Sequence, residues 1–450
     1  MNNIDNIRHE LIKKRISYIQ KLKKKNIDVS LSSLSSFRTL LFNNLSLTSN
    51  DVELGNISRK INIVNFIYQI KNFLYILKFA DIKIVGNYSR KNLKKYTKMV
   101  VAWSDEKDFS DKGEYYNKYF RTSSREKNIF WFLIHLGNKK PKKIKKNIII
   151  LYHPKKIFGL NIILLLKYLF KILKEKNFLL NRAYHELSFD SLLAHTIKDF
   201  FAKILNFYNP KKIIFPYESQ PFQNCLINLV KKNDKKITLI GYDHSSNPFP
   251  MYNIYNSNSP DLLYVHSKAS KIFYSKYFKW PKNKVKKIPS IKIIKKQLSE
   301  YKNKIFLPYD FFNENEIVKN FELFLNLSQV KQFTPMEVKI HPTQYNSKKH
   351  LILKKKIQLI LKIYKHRFSK DSRESLSIHI GNLSTVIEAL EVGITTIHIV
   401  CDPVFDLFSS RFWPTIKVKE LSSNIYKYSI KEFGNCLTFK NKKSYFHKIH

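Results

Sequence analysis

Glycine, cysteine and arginine are scarce in this chain of 450 residues, and their scarcity excludes several kinds of chemistry. The nine glycines form neither a G-x-x-x-x-G-K-[ST] phosphate loop nor a G-x-G-x-x-G dinucleotide fingerprint. The three cysteines, Cys225, Cys401 and Cys436, show no C-x-x-C pair and no metal-ligand spacing, which favours a reducing compartment. Asp-x-Asp, H-E-x-x-H and G-x-S-x-G are missing too. These absences favour chemistry without a metal site or a resident cofactor.

Acidic residues are also few, and the formal net charge is +47. Such a charge would ordinarily indicate nucleic acid or an anionic membrane surface as the partner. The cations are mostly lysine, however, whereas nucleic-acid binders depend on arginine for bidentate and stacking contacts. The positive charge is spread along the chain, which argues against a nucleic-acid partner. A diffuse positive field would still favour peripheral contact with an anionic membrane.

Long apolar runs are missing as well. Residues 1–10 are polar and lack the apolar region of a signal peptide. The strongest apolar run, 157–173, contains Asn161 and Lys167 and stays below the about 18 uninterrupted apolar residues of a membrane span. We therefore expect a cytoplasmic protein, with any contact to the inner face of the plasma membrane being peripheral.

The apolar pattern predicts an α/β fold with parallel sheets. Residues 1–75 read as a Lys-rich, amphipathic helical extension, and the Lys-rich segment 281–304 as a linker between two halves. Strands and helices alternate elsewhere, which is typical of βαβ units. The predicted strands are 81–85, 99–102, 147–152, 212–216, 237–240, 262–265, 305–308, 337–340, 376–380 and 395–400, and the predicted helices are 157–173, 191–207, 218–232, 268–278, 314–327, 349–364 and 384–391.

Two strand ends of the second half carry polar residues suited to an anion. The segment Lys339-Ile340-His341-Pro342 ends one strand, and Gly381-Asn382-Leu383-Ser384-Thr385 ends the strand that follows it along the chain. In open parallel sheets, ligands bind outside the carboxyl ends of the strands. We therefore expect both turns to face one anion-binding crevice.

Each residue of this crevice has an expected role. Ser384 and Thr385 would offer hydroxyls and free backbone N–H groups at a positive helix end, and Gly381 would let the backbone approach a ligand. His341, at the neighbouring strand end, would donate to the same phosphate. Glu388, one helical turn beyond Ser384, could accept from a ribose hydroxyl. The alternative is that Ser384 is only a helix cap and Glu388 only a solvated carboxylate.

The opposite wall of the predicted cleft would come from the first half. Glu218 follows a strand and opens a helix, so it could serve as a general base; alternatively, it is a carboxylate favoured by the helix dipole. The segment Gly241-Tyr242-Asp243-His244-Ser245 ends the next strand beside it, although a lone His244 at a strand end would be unremarkable. Asp105 and Asp108 could supply a second carboxylate for the site; alternatively, they simply belong to a surface loop.

At these residues the sequence resembles bacterial surface-carbohydrate glycosyltransferases with the GT-B fold. That group includes capsular Kdo transferases, bacterial sialyltransferases and CDP-glycerol glycerophosphotransferases. The segment 339–342 resembles their His-Pro motif, and Leu383-Ser384-Thr385 with Glu388 and Ala389 resembles their serine-containing motif. The segments Trp103-Ser104-Asp105, Asp108-Phe109, Tyr119-Phe120, Phe130-Trp131-Phe132, Tyr217-Glu218 and 241–244 are similar to blocks in uncharacterised surface-carbohydrate biosynthesis proteins.

The resemblance implies two Rossmann-like domains that face a central cleft, behind an N-terminal helical extension over residues 1–75. Residues 76–300 would form the acceptor-side domain and residues 301–450 the nucleotide-sugar-binding domain. The implied nucleotide-binding residues are His341, Pro342, Gly381, Asn382, Ser384, Thr385 and Glu388, and the implied acceptor-side residues are Tyr217, Gln220, Asp243 and His244. The acidic-acidic-Gly base motif of the sialyltransferases is missing, so Glu218 is assigned as the base by position alone.

The resulting hypothesis is an inverting, metal-independent glycosyltransferase of surface-polysaccharide biosynthesis. Its donor would be a nucleotide sugar, with a CMP-activated acidic sugar favoured, and its acceptor a glycan or a lipid-linked glycan. The catalytic residues would be Glu218 and His341, with Asp105 or Asp108 as substitutes for the base. Three alternatives stay open: a CDP-polyol phosphotransferase of the same fold, an inactive transferase-like scaffold, and a non-catalytic protein that binds nucleic acid or a membrane surface.

Overall fold

A computed structural model describes residues 2–24, 83–86, 89–135, 139–152, 189–233, 236–250, 253–293, 298–309, 311, 313–327, 336–368 and 376–439. The predicted helix 157–173 and the rest of the predicted extension, residues 25–75, lie outside them. The helices are α1 Asn2–Lys24, α2 Arg90–Leu93, α3 Phe189–Leu205, α4 Pro221–Lys232, α5 Lys268–Tyr277, α6 Glu314–Asn326, α7 Lys348–Ile363, α8 Thr385–Glu391 and α9 Pro403–Asp406.

The strands form two large sheets and one small pair. They are β1 Lys83–Val85, β2 Lys98–Ser104, β3 Tyr116–Asn117, β4 Thr122–Ser123, β5 Ile129–His135, β6 Ile148–Tyr152, β7 Lys212–Pro216, β8 Thr238–Tyr242, β9 Leu262–Val265, β10 Val285–Lys287, β11 Lys304–Phe306, β12 Glu337–Lys339, β13 Leu376–Ile380, β14 Thr395–Ile399, β15 Ile416–Ser422 and β16 Ile425–Ile430. The α/β prediction is confirmed, since helices alternate with parallel strands in both large sheets.

The first large sheet has eight strands in the order β1-β6-β5-β2-β7-β8-β9-β10. Its neighbours run parallel, except that the edge strand β1 is antiparallel to β6. Every residue of β5 is buried, as expected for a strand covered on both faces. Strand β10 lies inside the segment predicted to be a linker. That prediction missed the strand because its two lysines are exposed at the sheet edge and mask the apolar pattern.

The second large sheet has six strands in the order β12-β11-β13-β14-β16-β15. The first four are parallel, as predicted, and β16 and β15 add an antiparallel hairpin that the sequence analysis did not anticipate. Asn424 occupies the turn of this hairpin with a φ of 63°. Asparagine tolerates this left-handed conformation better than most residues do.

The two halves of the molecule share buried apolar contacts. Phe249 and Phe273 from the first half pack against Phe412 from the second, with ring centroids 5.8 Å and 5.7 Å away. The indole N–H of Trp413 donates to the carbonyl of Pro248 at 3.0 Å. Residues 434–439 return to the first half, where the Ser290 N–H donates to the Thr438 carbonyl. In the described part of the chain, no helix combines the length and apolar character needed to cross a membrane.

Candidate functional site

The turn after β7 fixes the backbone around Glu218. The side chain of Gln223 accepts from the N–H groups of Glu218 and Gln220 at 3.0 Å and 3.1 Å, and it donates to the Pro216 carbonyl at 2.7 Å. Ser219 has a φ of 53°, a conformation that costs a non-glycine residue energy. This locked turn holds Glu218 at the carboxyl end of the sheet, as the sequence predicted.

The Glu218 carboxylate is held by two neighbouring side chains. Its Oε1 lies 3.2 Å from Nε2 of His244, and its Oε2 accepts from the Gln220 amide at 2.9 Å. Gln220 in turn accepts from the indole N–H of Trp103 at 3.0 Å. The carboxylate remains partly exposed, so a ligand can reach it while its orientation is fixed.

His244 is buried beside this carboxylate. Burial lowers the pKa of His244 below its usual value of 6.5, although the nearby Glu218 opposes the shift. A neutral His244 can donate its Nε2 proton to Glu218, which leaves Nδ1 as an acceptor. Nδ1 is buried and has no hydrogen-bond partner. The ring of Tyr119 covers the imidazole at a centroid distance of 4.4 Å.

Lys292 lies between acidic groups of both halves. Its ammonium is 5.8 Å from the centre of the Tyr119 ring. Burial lowers the pKa of Lys292 below 10.5, while Glu388 and then Glu218 favour its charged form. Lys118 also lies over Tyr119, at 5.4 Å, and opposes that charge. Lys292 is therefore within electrostatic range of a carboxylate in each half, Glu218 in the first and Glu388 in the second.

His341 faces the same region from the second sheet. Burial lowers the pKa of His341 below 6.5, and the positive charges of Lys292, His350 and Lys118 add to that shift. Tyr309 packs edge-on against the imidazole at 5.1 Å. A bound anion would oppose this shift and favour the protonated form of His341.

The two turns of the predicted anion crevice are not on adjacent strands. Strand β11 lies between β12 and β13, so the strand before His341 and the strand before Gly381 are separated by about 10 Å. Pro308 and Tyr309, which follow β11, occupy the intervening position. A Cβ on Gly381, whose φ is 69°, would come within 3.0 Å of the Cβ of Pro308. The expectation of neighbouring strand ends was therefore wrong, because pairing order differs from chain order.

The hydroxyls at the start of α8 differ in their partners. The Thr385 hydroxyl is 2.9 Å from Nδ1 of His379, whose Nε2 is 2.9 Å from the Ser377 hydroxyl. Burial lowers the pKa of His379 well below its usual value, so this chain of contacts is neutral. Ser384 is partly buried at the helix start, and its side chain makes no capping hydrogen bond there. Ser384 thus fits a ligand-facing role better than Thr385 does.

Glu388 is buried and bonded rather than solvated. It accepts from the hydroxyl of Tyr301 at 2.5 Å. That contact and burial raise the pKa of Tyr301 far above its usual value, with burial the larger cause. The structure thus replaces the solvated-carboxylate alternative with a carboxylate held by Tyr301 beside Lys292.

Other predicted residues have different surroundings. Tyr217 lies in the core, and its hydroxyl is 3.4 Å from the Asn224 amide oxygen. Asp243 is buried, accepts from Tyr274 at 2.9 Å, and has its pKa raised to about 7 by burial. Neither side chain is exposed for an acceptor to touch. Asn382 is exposed, and its side-chain amide donates to the Phe405 carbonyl at 3.3 Å. Pro342 is also exposed.

Asp105 and Asp108 form a local cap. Asp105 accepts from the Glu106 N–H at 2.7 Å, and Asp108 accepts from the Asp105 N–H at 2.8 Å. Burial raises the pKa of Asp108, which Lys118 counteracts. The contacts agree with the surface-loop alternative for Asp105, whereas Asp108 lies close enough to Tyr119 to help raise the pKa of its hydroxyl, after burial and Glu218.

The sequence analysis did not assign Lys292, Tyr301 or Tyr309 to the site. Lys292 stands in a Lys-rich segment, where its only local signal is the pair of buried isoleucines, Ile291 and Ile293, on either side. Tyr301 and Tyr309 flank β11, so their place in the site follows from the strand order. The described residues contain no group of three or more His, Cys, Asp or Glu side chains arranged to hold a metal ion.

Comparison with known proteins finds a structural likeness but no match in sequence. No protein-family model matches the sequence, and no curated protein matches it. The chain is similar to a solved glycosyltransferase from Rickettsia africae ESF-5, with 13% sequence identity and a TM-score of 0.33. The similarity covers 68% of this chain and 79% of the Rickettsia chain.

Proposed function

We propose that this chain is an inverting glycosyltransferase that needs no metal ion and has a GT-B-like arrangement of two domains around a cleft. The observation that carries the proposal is the meeting of Glu218, held by His244, with Lys292 and His341. The carboxylate is 3.2 Å from His244, and Lys292 interacts with Glu218 on one side and Glu388 on the other. A base and a set of cations are thus close together at the ends of two parallel sheets.

The proposed reaction forms a bond between an acceptor oxygen and the anomeric carbon and breaks the bond from that carbon to phosphate. Glu218 takes the proton of the acceptor hydroxyl, while the Nε2 proton of His244 keeps the carboxylate oriented. Negative charge grows on the departing phosphate, where Lys292, His341 and Ser384 can stabilise it. Glu218 on one wall, with His341 and Ser384 on the other, favours attack from the face opposite the leaving group, which inverts the anomeric centre.

We further propose a CMP-activated acidic sugar as the donor and a surface polysaccharide or its lipid-linked precursor as the acceptor. The support comes from the resemblance of the segments around His341 and Ser384 to the His-Pro and serine-containing motifs of the transferase group described above, in which these positions bind the phosphate and ribose of a cytidine nucleotide. Lys118, Lys292 and His341 supply side-chain charge suited to a phosphate and an acidic sugar. Glu388, held by Tyr301, stands where it could accept from a ribose hydroxyl.

A CDP-polyol phosphotransferase is the second candidate. In addition to burial, Lys118 lowers the pKa of Lys292, and both lysines lower the pKa of His341, so these three groups form a set that could also serve a donor with two phosphates. The same base and acceptor chemistry would apply. Both candidates release CMP, so the donor and the transferred group identify the reaction: a sugar from a CMP-sugar in the first case and a polyol phosphate from a CDP-polyol in the second.

The test combines nucleotide binding with two substitutions. We expect CMP to raise the melting temperature more than UDP or GDP does, and Lys292→Met to weaken CMP binding at least tenfold through loss of a charge-assisted contact, about 1.4 kcal/mol. Lys286→Met, at an exposed position of β10, is the matched control and should bind normally. Glu218→Gln should keep CMP affinity and lower turnover about 100-fold or more.

Two results would contradict the proposal. One is the absence of preferential stabilisation by either CMP or CDP in a folded wild-type protein. The other is normal turnover of Glu218→Gln with a donor that the wild type uses. Preference for CDP with polyol transfer would instead select the second candidate.

A further inference from the structure

Helix α7 buries one face against the second sheet. His350, Leu353, Ile357 and Ile360 are buried along it, at spacings of three and four residues. His350 also contacts the Ser347 hydroxyl at 2.8 Å and the Pro308 carbonyl at 3.2 Å. This face supplies the apolar contacts that hold the helix on the sheet.

The opposite face of α7 is also apolar, which the packing of a sheet-covering helix does not require. Ile352, Leu359 and Ile363 are exposed by 49%, 59% and 62%, and Leu351 beside them by 42%. Their spacing of seven and then four residues keeps the first three on one side of the helix. Several exposed aliphatic side chains in one stripe are typical of a surface that meets an apolar partner.

The same face is positively charged. Lys348, Lys355 and Lys362 recur every seven residues beside the aliphatic stripe, and all three are exposed. The helix as a whole has six lysines and no acidic residue. A partner that satisfies both features must offer apolar material next to negative charge.

We propose that this face of α7 is a membrane-docking surface for a bilayer that contains anionic phospholipid. The isoleucines and Leu359 would enter the boundary between headgroups and acyl chains, while Lys348, Lys355 and Lys362 pair with anionic headgroups. The stripe has no arginine or aromatic residue for nucleic-acid contacts, and its central aliphatic side chains would gain nothing from a phosphate backbone.

The location of α7 gives this surface a consequence for the site. The helix follows the turn at 341–344, so His341 is only seven residues before Lys348. Docking through α7 would therefore keep the turn that carries His341 within the length of this helix, about 24 Å, of the bilayer surface. The docking itself is independent of the proposed function, but it would suit that function if the acceptor is lipid-linked.

The test is sedimentation of the full-length chain with phosphatidylcholine vesicles that contain or lack phosphatidylglycerol. We expect binding to the anionic vesicles alone, with weaker binding as salt increases. Leu359→Glu should lower the partition coefficient at least about tenfold, because it puts a negative charge in the aliphatic stripe. Leu359→Trp should keep or strengthen binding, since tryptophan favours the interface.

Ile272→Glu is the matched control. Ile272 is an exposed aliphatic residue on α5, another Lys-containing helix, and its replacement should leave vesicle binding unchanged. Equal loss of binding in this control and in Leu359→Glu would overturn the assignment to α7. So would a lack of vesicle binding by the wild type, or a dimer that Leu359→Glu dissociates. Cytidine-nucleotide binding, measured on the same variants, reports separately on the proposed function.

Discussion

Two carboxylates on neighbouring turns of the first sheet have different surroundings and therefore different uses. Glu218 is partly exposed and meets His244, Gln220 and the charge of Lys292. Asp243 is fully enclosed, and its main partner is the neutral hydroxyl of Tyr274. Burial outweighs the opposing influence of Lys292 on Asp243, so this enclosed carboxylate prefers to keep its proton. A partly exposed carboxylate can instead exchange protons with a ligand. Position along the chain alone did not distinguish them.

Asp243 gives a prediction for stability against pH. Its pKa is raised from 3.8 to about 7, chiefly by burial, so the folded state keeps a proton that the unfolded state has lost between these values. This contribution to stability is complete below pH 3.8 and is lost as the pH rises through about 7. Asp243→Asn should therefore become progressively more stable than the wild type as the pH is raised from 5 to 8, by at most about 1.4 kcal/mol per unit.

Thermal melts of both proteins across this range provide the measurement. Asp111→Asn, at an exposed position, is the control and should melt in parallel with the wild type. Parallel curves for Asp243→Asn as well would show that Asp243 ionises alike in the folded and unfolded chain, contrary to this account.

At the scale of elements, the sequence predicted what each segment reveals by itself. Strands such as β6 and β7 are buried at four of their five positions, so their apolar runs are visible without any knowledge of their neighbours. The order of strands depends on pairing between distant segments, and this is why β11 was not expected between β12 and β13. The hairpin of β15 and β16 was missed since its strands mix exposed lysines with buried tyrosines.

The same distinction explains the outcome at the site. The placement of Glu218 and His341 at strand ends could be predicted, because each comes two residues after a strand that the sequence indicates. The hydrogen bond between the Thr385 hydroxyl and His379 could not be predicted, because it depends on the direction in which a side chain inside β13 points. Lys292 could not be identified either, because only the fold distinguishes it from the many lysines around it.

The turn after β13 gives a prediction at this scale. Gly381→Ala should destabilise the protein by more than about 1 kcal/mol, because the left-handed backbone and the nearby Pro308 both oppose a Cβ. Gly434→Ala is a close control, since Gly434 has a φ of 79° and no heavy atom within 4 Å of the added Cβ. Chemical denaturation of both variants separates the steric cost from the conformational cost. Equal losses would show that the approach of β11 to this turn is unimportant.

At the scale of the whole molecule, the first helix is part of the joint between the halves. Arg8, on α1, is buried and donates to the carbonyls of Val404 at 2.7 Å and Leu407 at 2.6 Å, next to α9 in the second half. Its guanidinium also lies 5.2 Å from the ring of Phe249 in the first half and 5.5 Å from that of Phe412 in the second. One side chain of α1 therefore touches both halves.

Arg8 has few sources of compensating charge. Burial lowers the pKa of Arg8 to about 10, and Asp5, whose carboxylate is 3.7 Å away, is the largest influence that favours the charged form. Asp5 itself accepts from the Ser409 hydroxyl at 2.6 Å. Removing the guanidinium would leave both the Asp5 charge and several carbonyls of the 404–407 segment poorly satisfied, which is more costly than loss of an exposed ion pair.

Arg8→Met should accordingly lower the free energy of unfolding by about 3 kcal/mol, through buried groups left without partners. Because the guanidinium contacts both halves, the loss should move the main unfolding transition rather than release α1 alone. Lys13→Met is the control on the same helix, where an exposed pair with Glu10 contributes little. Calorimetry that showed an unchanged main transition for Arg8→Met, with only a small early loss of helix signal, would mean that α1 is an appendage and that the aromatic contacts and hydrogen bonds between the two halves join them without it.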